Sequence, residues 1–126
     1  MKTIFRAAGV SLMLFFIVGF VSSCKRDPSV LKVFVRSSSN QLLQDAKVII
    51  VGDINSEPPT RSFVDTVMTN STGFALFDMN KYFTDKPQRG EIGYFDIIVK
   101  KDGKTGTGRI RCRANITNVE TVYMPQ

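Results

Sequence analysis

The fold of this chain is most plainly written in Tyr94-Phe95-Asp96-Ile97-Ile98-Val99-Lys100-Lys101-Asp102-Gly103-Lys104-Thr105-Gly106-Thr107-Gly108-Arg109-Ile110-Arg111-Cys112-Arg113. Asp-Gly between two alternating runs signals a two-residue hairpin, because both central positions of such a turn need positive φ. With Asp102 and Gly103 as the turn, Lys101 faces Lys104, Phe95 faces Ile110, Asp96 faces Arg109, Ile97 faces Gly108 and Tyr94 faces Arg111. Cross-strand partners share a face, so Phe95, Ile97, Val99, Ile110 and Cys112 collect on a core side. Asp96, Lys100, Thr107, Arg109 and Arg111 collect on a wet one. A slip of one residue sets arginines against the core residues, so the register supports itself.

The same reading extends along the rest of the chain. Val30–Arg36 alternates, with Leu31, Val33 and Val35 on one face and Lys32 and Arg36 on the other. Ser37 to Asn40 is turn material. Ala46–Val51 is a strand, apolar on both faces from Val48 and so suited to the interior of a sheet. Asp53–Thr60, with Pro58-Pro59, is a loop. Phe63–Thr69 and Phe74–Phe77 are strands separated by Asn70-Ser71-Thr72-Gly73. A last strand covers Val119–Met124. Asp78–Gly93 is the longest connection, with a helical turn expected around Met79–Phe83; a connection of that length in a compact domain is a place to look for function. Seven short strands without a long helix predict an all-β antiparallel sandwich of Greek-key type over residues 30–126.

The first 23 residues stand apart from this domain. They hold 15 of the 54 hydrophobic residues, two of the 17 basic ones and no acidic one. Cys24–Gln126 then carries 15 basic and 11 acidic residues, an excess of four cations. That length suits one domain and is too short for two. The composition excludes collagen-like, coiled-coil and disordered classes.

Lys2 and Arg6 form a positive start, and Ala7–Val21 is an uncharged run of 15 residues. A bilayer span needs about 20 apolar residues, so the run fits a helical, cleaved secretory signal better. Val21-Ser22-Ser23-Cys24 closes it. This resembles the lipobox of bacterial lipoproteins, in which a branched apolar residue and two small ones precede the cysteine that is acylated and becomes the new N-terminus. The resemblance implies a diacylglycerol thioether and an amide-linked fatty acid on Cys24, and three chains hold a protein on a membrane where one holds it only marginally. It divides the chain into a signal peptide (1–23), an acylated tether (24–29) and the sandwich. Lys25, rather than Asp, follows the cysteine, which in such sorting systems implies the outer membrane. The tether extends at most about 20 Å, so the domain rides close to the headgroups.

A second resemblance lies within the domain. Leu43-Gln44-Asp45-Ala46-Lys47-Val48, Thr69-Asn70-Ser71-Thr72-Gly73-Phe74-Ala75-Leu76-Phe77 and Tyr94-Phe95-Asp96-Ile97-Ile98-Val99 before Asp102-Gly103 look like the transthyretin-like, carboxypeptidase-regulatory type of domain. Asp45 departs from the pattern, which has Gly there, and puts the turn before the second strand in question. The resemblance implies a mostly non-catalytic module: accessory domains, receptor plugs, repeats of surface proteins, and a lipid-anchored subunit of type VI secretion machines. The related hydrolases use His and Arg residues and a C-terminal Tyr-Arg-Gly-Ser, whereas this chain has no His and ends Tyr123-Met124-Pro125-Gln126.

Several kinds of chemistry can be weighed residue by residue. Without His, the Ser-His-Asp and Cys-His arrangements and any His-bearing zinc site are impossible. Cys112, predicted to point inward, reads as an inert buried thiol. Asp53, Asp78, Asp85 and Asp102 lie at loops but form no calcium-binding series. No catalytic residue, metal or cofactor is expected. Arg109, Arg111 and Arg113, with Lys100, Lys101 and Lys104, make one basic hairpin, either the solvated side of a half-buried strand or a contact for anionic lipid, acidic glycan or an acidic protein face. Nucleic acid is an implausible partner for an exported lipoprotein. Asp65-Thr66-Val67 resembles an O-glycosylation tripeptide of some Gram-negative exported proteins, with Thr66 the acceptor. The expected function is a non-enzymatic, lipid-anchored envelope protein serving interaction or assembly. The alternatives are a glycan- or small-ligand-binding accessory protein of an uptake system, which requires the Asp53–Ser62 and Asp78–Gly93 loops to meet around exposed rings such as Tyr82 or Phe83, and a transthyretin-like lipoprotein of a secretion machine.

Overall fold

The computed structural model describes residues 27–83 and 91–126. The signal peptide, the lipobox and Cys24, and the middle of the Asp78–Gly93 connection including Asp85, lie outside them.

Seven strands follow in chain order: β1 (Val30–Arg36), β2 (Lys47–Gly52), β3 (Val64–Met68), β4 (Phe74–Asp78), β5 (Ile92–Lys101), β6 (Lys104–Arg113) and β7 (Thr117–Tyr123), with one 3₁₀ turn at Met79–Lys81. They form a three-stranded sheet in the order β4-β1-β7 and a four-stranded sheet in the order β3-β2-β5-β6. The all-β sandwich expected from the sequence is therefore the observed one. The β5–β6 register is the expected one throughout: Lys101 pairs with Lys104, Phe95 with Ile110, Asp96 with Arg109, Ile97 with Gly108 and Tyr94 with Arg111. Other strand ends differ from expectation by one or two residues, as at β7, which begins at Thr117 rather than Val119.

One expectation needs correction, because the sandwich is not wholly antiparallel. β1 pairs with β4 antiparallel but with β7 parallel, Val30 lying beside Thr117 and Arg36 beside Tyr123. The cause is the short connection after β6. Strand β6 ends at the pole where β1 begins, and only Ala114-Asn115-Ile116 separates it from β7. That connection lets the chain cross to the other sheet but not travel to the far pole, so β7 starts alongside Val30 and runs with β1.

The core follows from alternation. Leu31, Val33 and Val35 from β1 and Phe77 from β4 face Val48 and Ile50 from β2, Phe95, Ile97 and Val99 from β5, and Cys112 from β6, all fully buried. Strand β6 contributes small residues as well. A Cβ on Gly108 would lie 3.0 Å from Val122 Cγ2 and one on Gly106 2.9 Å from Met124 Sδ, so glycines at these inward sites leave room for the end of β7. Met79, Tyr82 and Phe83 close the pole where β1 begins, with Tyr82 packed edge-on against Phe95 at 5.0 Å and Phe83 at 4.9 Å.

Side chains rather than regular ladders lock the crossings between sheets. Thr69 Oγ1 accepts from Ala46 N (2.9 Å) and donates to Leu43 O (2.8 Å). Asn118 donates to Val30 O (3.1 Å) and Arg113 O (3.0 Å) and accepts from Arg113 N (2.9 Å), which ties β7 to β1 and to the end of β6. Such buried amides stay favourable only when their donors and acceptors are all matched, and no buried side-chain polar atom among the described residues lacks a partner.

Turn chemistry carries the register. Asp102 and Gly103 both have positive φ, 51° and 76°. Asp45, where the family pattern has Gly, also sits in the left-handed region at φ 58°. Asp tolerates that conformation better than most residues, so the turn before β2 forms without glycine. At Gly73 (φ 81°) an added Cβ would lie 2.6 Å from Leu42 Cβ, whereas at Gly103 it would meet nothing within 4 Å. Gly103→Ala is therefore expected to destabilise the domain by the backbone penalty alone, about 1–2 kcal/mol. Gly73→Ala adds a steric clash to that penalty and should cost more. Urea denaturation of both variants checks the order, and a milder effect at Gly73 would show that the β3–β4 turn does not close against Leu42.

Candidate functional site

The basic residues of the hairpin are divided by the strand pleat. Lys100, Arg109, Arg111 and Arg113 are exposed on the outer face of the four-stranded sheet. Lys101 and Lys104, one step out of phase, lie at the tip on the inward parity and line a shallow cleft of about 190 Å³ with Ser37, Leu43 and Met124. Lys101 Nζ donates to Gln44 O at 2.7 Å. With ten residues in each strand, the tip and Arg113 stand about 30 Å apart. The six cations are thus divided between the outer face of the sheet and the hairpin tip.

Arg109 is further committed. Its guanidinium donates to Asp53 Oδ2 at 2.6 Å, lies 3.8 Å from Asp96 Oδ1, and sits 5.8 Å from the Tyr94 ring centroid. This joins the loop after β2 to the outer face of β6. Arg111 and Arg113, like Lys47 and Lys100 on the same face, show no ion pair among the described residues and are open to an anionic partner.

The described parts of the loops expected to frame a ligand pocket are joined by direct contacts. Arg61 N donates to the Tyr82 hydroxyl (3.1 Å), and the Arg61 guanidinium donates to the Tyr82 carbonyl while stacking 4.8 Å from its ring. Thr60 Oγ1 accepts from Tyr94 N (2.8 Å), and Ser56 and Thr60 share a hydroxyl pair at 2.9 Å. Tyr82 is 5% exposed and Phe83 0%. Both rings belong to the core, so neither can serve as a sugar-stacking platform and the uptake reading loses the feature it required.

The remaining candidates have structural employment. Asp78 accepts from Asn80 N (3.0 Å) at the head of the 3₁₀ turn, Asp53 accepts from Asn55 N and Arg109, and Asp102 forms the hairpin turn. Among the described residues no three acids, cysteines or histidines come together as a metal site. Thr66 is exposed on the outer face of β3, an edge strand separated from β6 by β2 and β5. Asn70 Oδ1 accepts from Thr72 N and Phe74 N and holds the β3–β4 turn.

One surface was not anticipated. The outer face of β4-β1-β7 carries Phe34, Phe74, Leu76 (53% exposed), Val119 (55%) and Tyr123 (59%), with Lys32 at its centre. Phe34 and Phe74 are cross-strand partners packed edge-on at 5.6 Å, and Lys32 Nζ lies 5.1 Å and 4.1 Å above their rings. The alternation of β1 already placed Phe34 outward beside Lys32 and Arg36. The register of three strands distant in sequence was needed to gather the other apolar residues around it.

At the opposite extreme of access is Cys112. Burial pushes its thiol up from an ordinary value near 9 to about 12, because a thiolate there would be desolvated. The sign for stability follows from proton counts. Below pH 9 both folded and unfolded states hold the proton; between about 9 and 12 only the folded state does, so stability falls as pH rises through that window. Cys112 in the folded domain is expected to resist thiol reagents at pH 8 and to react on unfolding. Cys112→Ala should flatten the alkaline loss of stability, and rapid native labelling would show that the core side of β6 is open.

Comparison with known proteins adds little. No family model and no curated protein matches the chain. Among solved structures it is similar to chlorocatechol 1,2-dioxygenase from Pseudomonas putida, with 10% identity and a TM-score of 0.45. The match covers 82% of this chain and 62% of the dioxygenase chain, so the domain spans less than two thirds of that protein. A likeness of that degree carries no argument about chemistry.

Proposed function

We propose that this chain is a non-enzymatic lipoprotein of the bacterial cell envelope, a transthyretin-like, Greek-key sandwich held at the outer membrane through acylated Cys24 and acting as an interaction or assembly module. The non-enzymatic reading rests on a chain that lacks His altogether and whose one domain thiol, Cys112, is shut in the core. The fold reading rests on the positive-φ turns at Asp45, Gly73 and Asp102-Gly103, which fall where the family pattern has them.

The observation that carries the reading is the distance from Cys24 to the first residue locked into the domain. Ser29 is fully buried. Its N–H donates to Asn80 Oδ1 (3.0 Å), its carbonyl accepts from Met79 N (2.9 Å) and its hydroxyl accepts from Asn115 N (2.7 Å). Slack therefore ends five residues after Cys24, at a reach of about 20 Å or less. A domain held so closely meets partners within a thin layer at the membrane, as a scaffold or docking module does. Arg111 and Arg113 on the outer face of the four-stranded sheet suit an acidic partner.

The mature native protein is expected to begin at Cys24 and to carry acyl mass there. Cys24→Ser removes the sulfur that forms the thioether and should leave an unacylated chain that no longer fractionates with membranes. Intact-mass spectrometry and membrane fractionation check both, and a native chain that retains Met1 overturns the anchor. Crosslinking in intact envelopes should recover a protein partner, with recovery reduced by Arg111→Glu combined with Arg113→Glu; no partner, or no effect of the substitutions, counts against the interaction surface.

A further inference from the structure

We propose that the outer face of the β4-β1-β7 sheet lies flat on the phospholipid bilayer, so that the domain is oriented as well as anchored and presents its four-stranded sheet outward. This rests on the lipid-anchored reading above.

Three observations select this face. The first is where the preceding chain enters. The tether ends at Ser29, one residue before β1, and β1 is the central strand of this sheet. The turn beside it exposes Ile116 (45%), whose carbonyl accepts from Val30 N at 3.0 Å. Exposed apolar surface thus begins at the tether and continues across Val119 and Leu76 to Phe34, Phe74 and Tyr123. β1 is about 23 Å long, so a tether of about 20 Å allows the whole face to rest on the membrane that holds Cys24.

The second observation is composition. Interfacial surfaces combine aromatic and aliphatic side chains with cations. Lys32 sits above Phe34 and Phe74, and Arg36 is its neighbour on the same face of β1. A lysine so placed can keep its ammonium at the phosphates while the rings enter the acyl boundary. The carboxylate at the border, Asp78, is occupied in capping the 3₁₀ turn.

The third is contrast with the opposite face. There Val64 (64%) and Met68 (52%) are exposed on the edge strand β3, and Ile49, Val51 and Ile98 are half-exposed, but they stand among Lys47, Asp96, Lys100, Arg109, Arg111 and Arg113. Six charged side chains would have to leave water if that face lay on a bilayer, against Lys32, Arg36 and Asp78 on the other, so the difference between the faces lies in charge.

The test uses the mature acylated protein in vesicles of phosphatidylethanolamine and phosphatidylglycerol, at low protein density. Val119→Cys or Thr107→Cys provides one reporter thiol, since Cys24 is blocked and Cys112 is buried. Each carries an environment-sensitive fluorophore, read against a lipid spin-labelled near the headgroup. Quenching at position 119 is expected to exceed that at 107 by about threefold or more. Leu76→Asn with Tyr123→Asn, both at exposed sites, should abolish the difference while leaving the thermal midpoint near its original value. Equal quenching, or stronger quenching at 107, overturns the orientation. Protection at 119 that vanishes on diluting the protein in lipid assigns the face to a second copy and also overturns it. The two readings separate by mass: an acylated chain with equal quenching refutes the orientation alone, whereas an unacylated mature chain removes the anchor and the orientation with it.

Discussion

The Asp102-Gly103 turn sets a constraint that propagates through most of the domain. Two adjacent residues at positive φ, 51° and 76°, bring Lys101 opposite Lys104, and every later pair on β5 and β6 follows from that contact. Strand pleating then leaves no freedom over which side chains face the interior: Phe95, Ile97 and Val99 arrive beside Ile110 and Cys112. β2 adds to the other edge of β5 with Val48 opposite Val99 and Ile50 opposite Ile97, so its buried residues continue the same apolar layer. The inward surface against which the three-stranded sheet packs is thereby defined.

The second organising fact is the position of β1. As the central strand of the smaller sheet it is paired on both edges, and Ser29 and Asn118 fasten its entry to the 3₁₀ turn, the β6–β7 connection and β7. The entry segment of the domain is thus well fixed. That arrangement suits a module whose position relative to a lipid surface matters. Under the proposed anchoring, a short tether would restrict the domain to the interface, and the apolar face beside the tether would select which way it lies.

Both sheets combine apolar and cationic residues on their outer faces, but in different proportions. Lys32 rests over two aromatic rings within a largely apolar patch, whereas Arg109 is drawn to Asp53 and Asp96, and Arg111 and Arg113 have no ion pair among the described residues. The first arrangement gains from leaving water and the second from remaining in it, because desolvating charge is far costlier than desolvating an aliphatic surface. One small sandwich can therefore turn a greasy face one way and a polar face the other.

The strands, the hairpin register and the inward residues of β5 and β6 were legible in the amino-acid sequence because alternation and an Asp-Gly turn are local properties. The resemblance of Val21–Cys24 to a lipobox is likewise local and lies outside the described residues. Tertiary structure decided what depends on separated segments: the parallel β1–β7 pair, the burial of Tyr82 and Phe83, the division of the hairpin cations between two parities, and the apolar face that Phe34, Phe74, Leu76, Val119 and Tyr123 form together. The sequence pattern of each strand shows which residues share its side. Which strands become neighbours depends on how two sheets bury their inner faces at once, and that is a property of the whole chain.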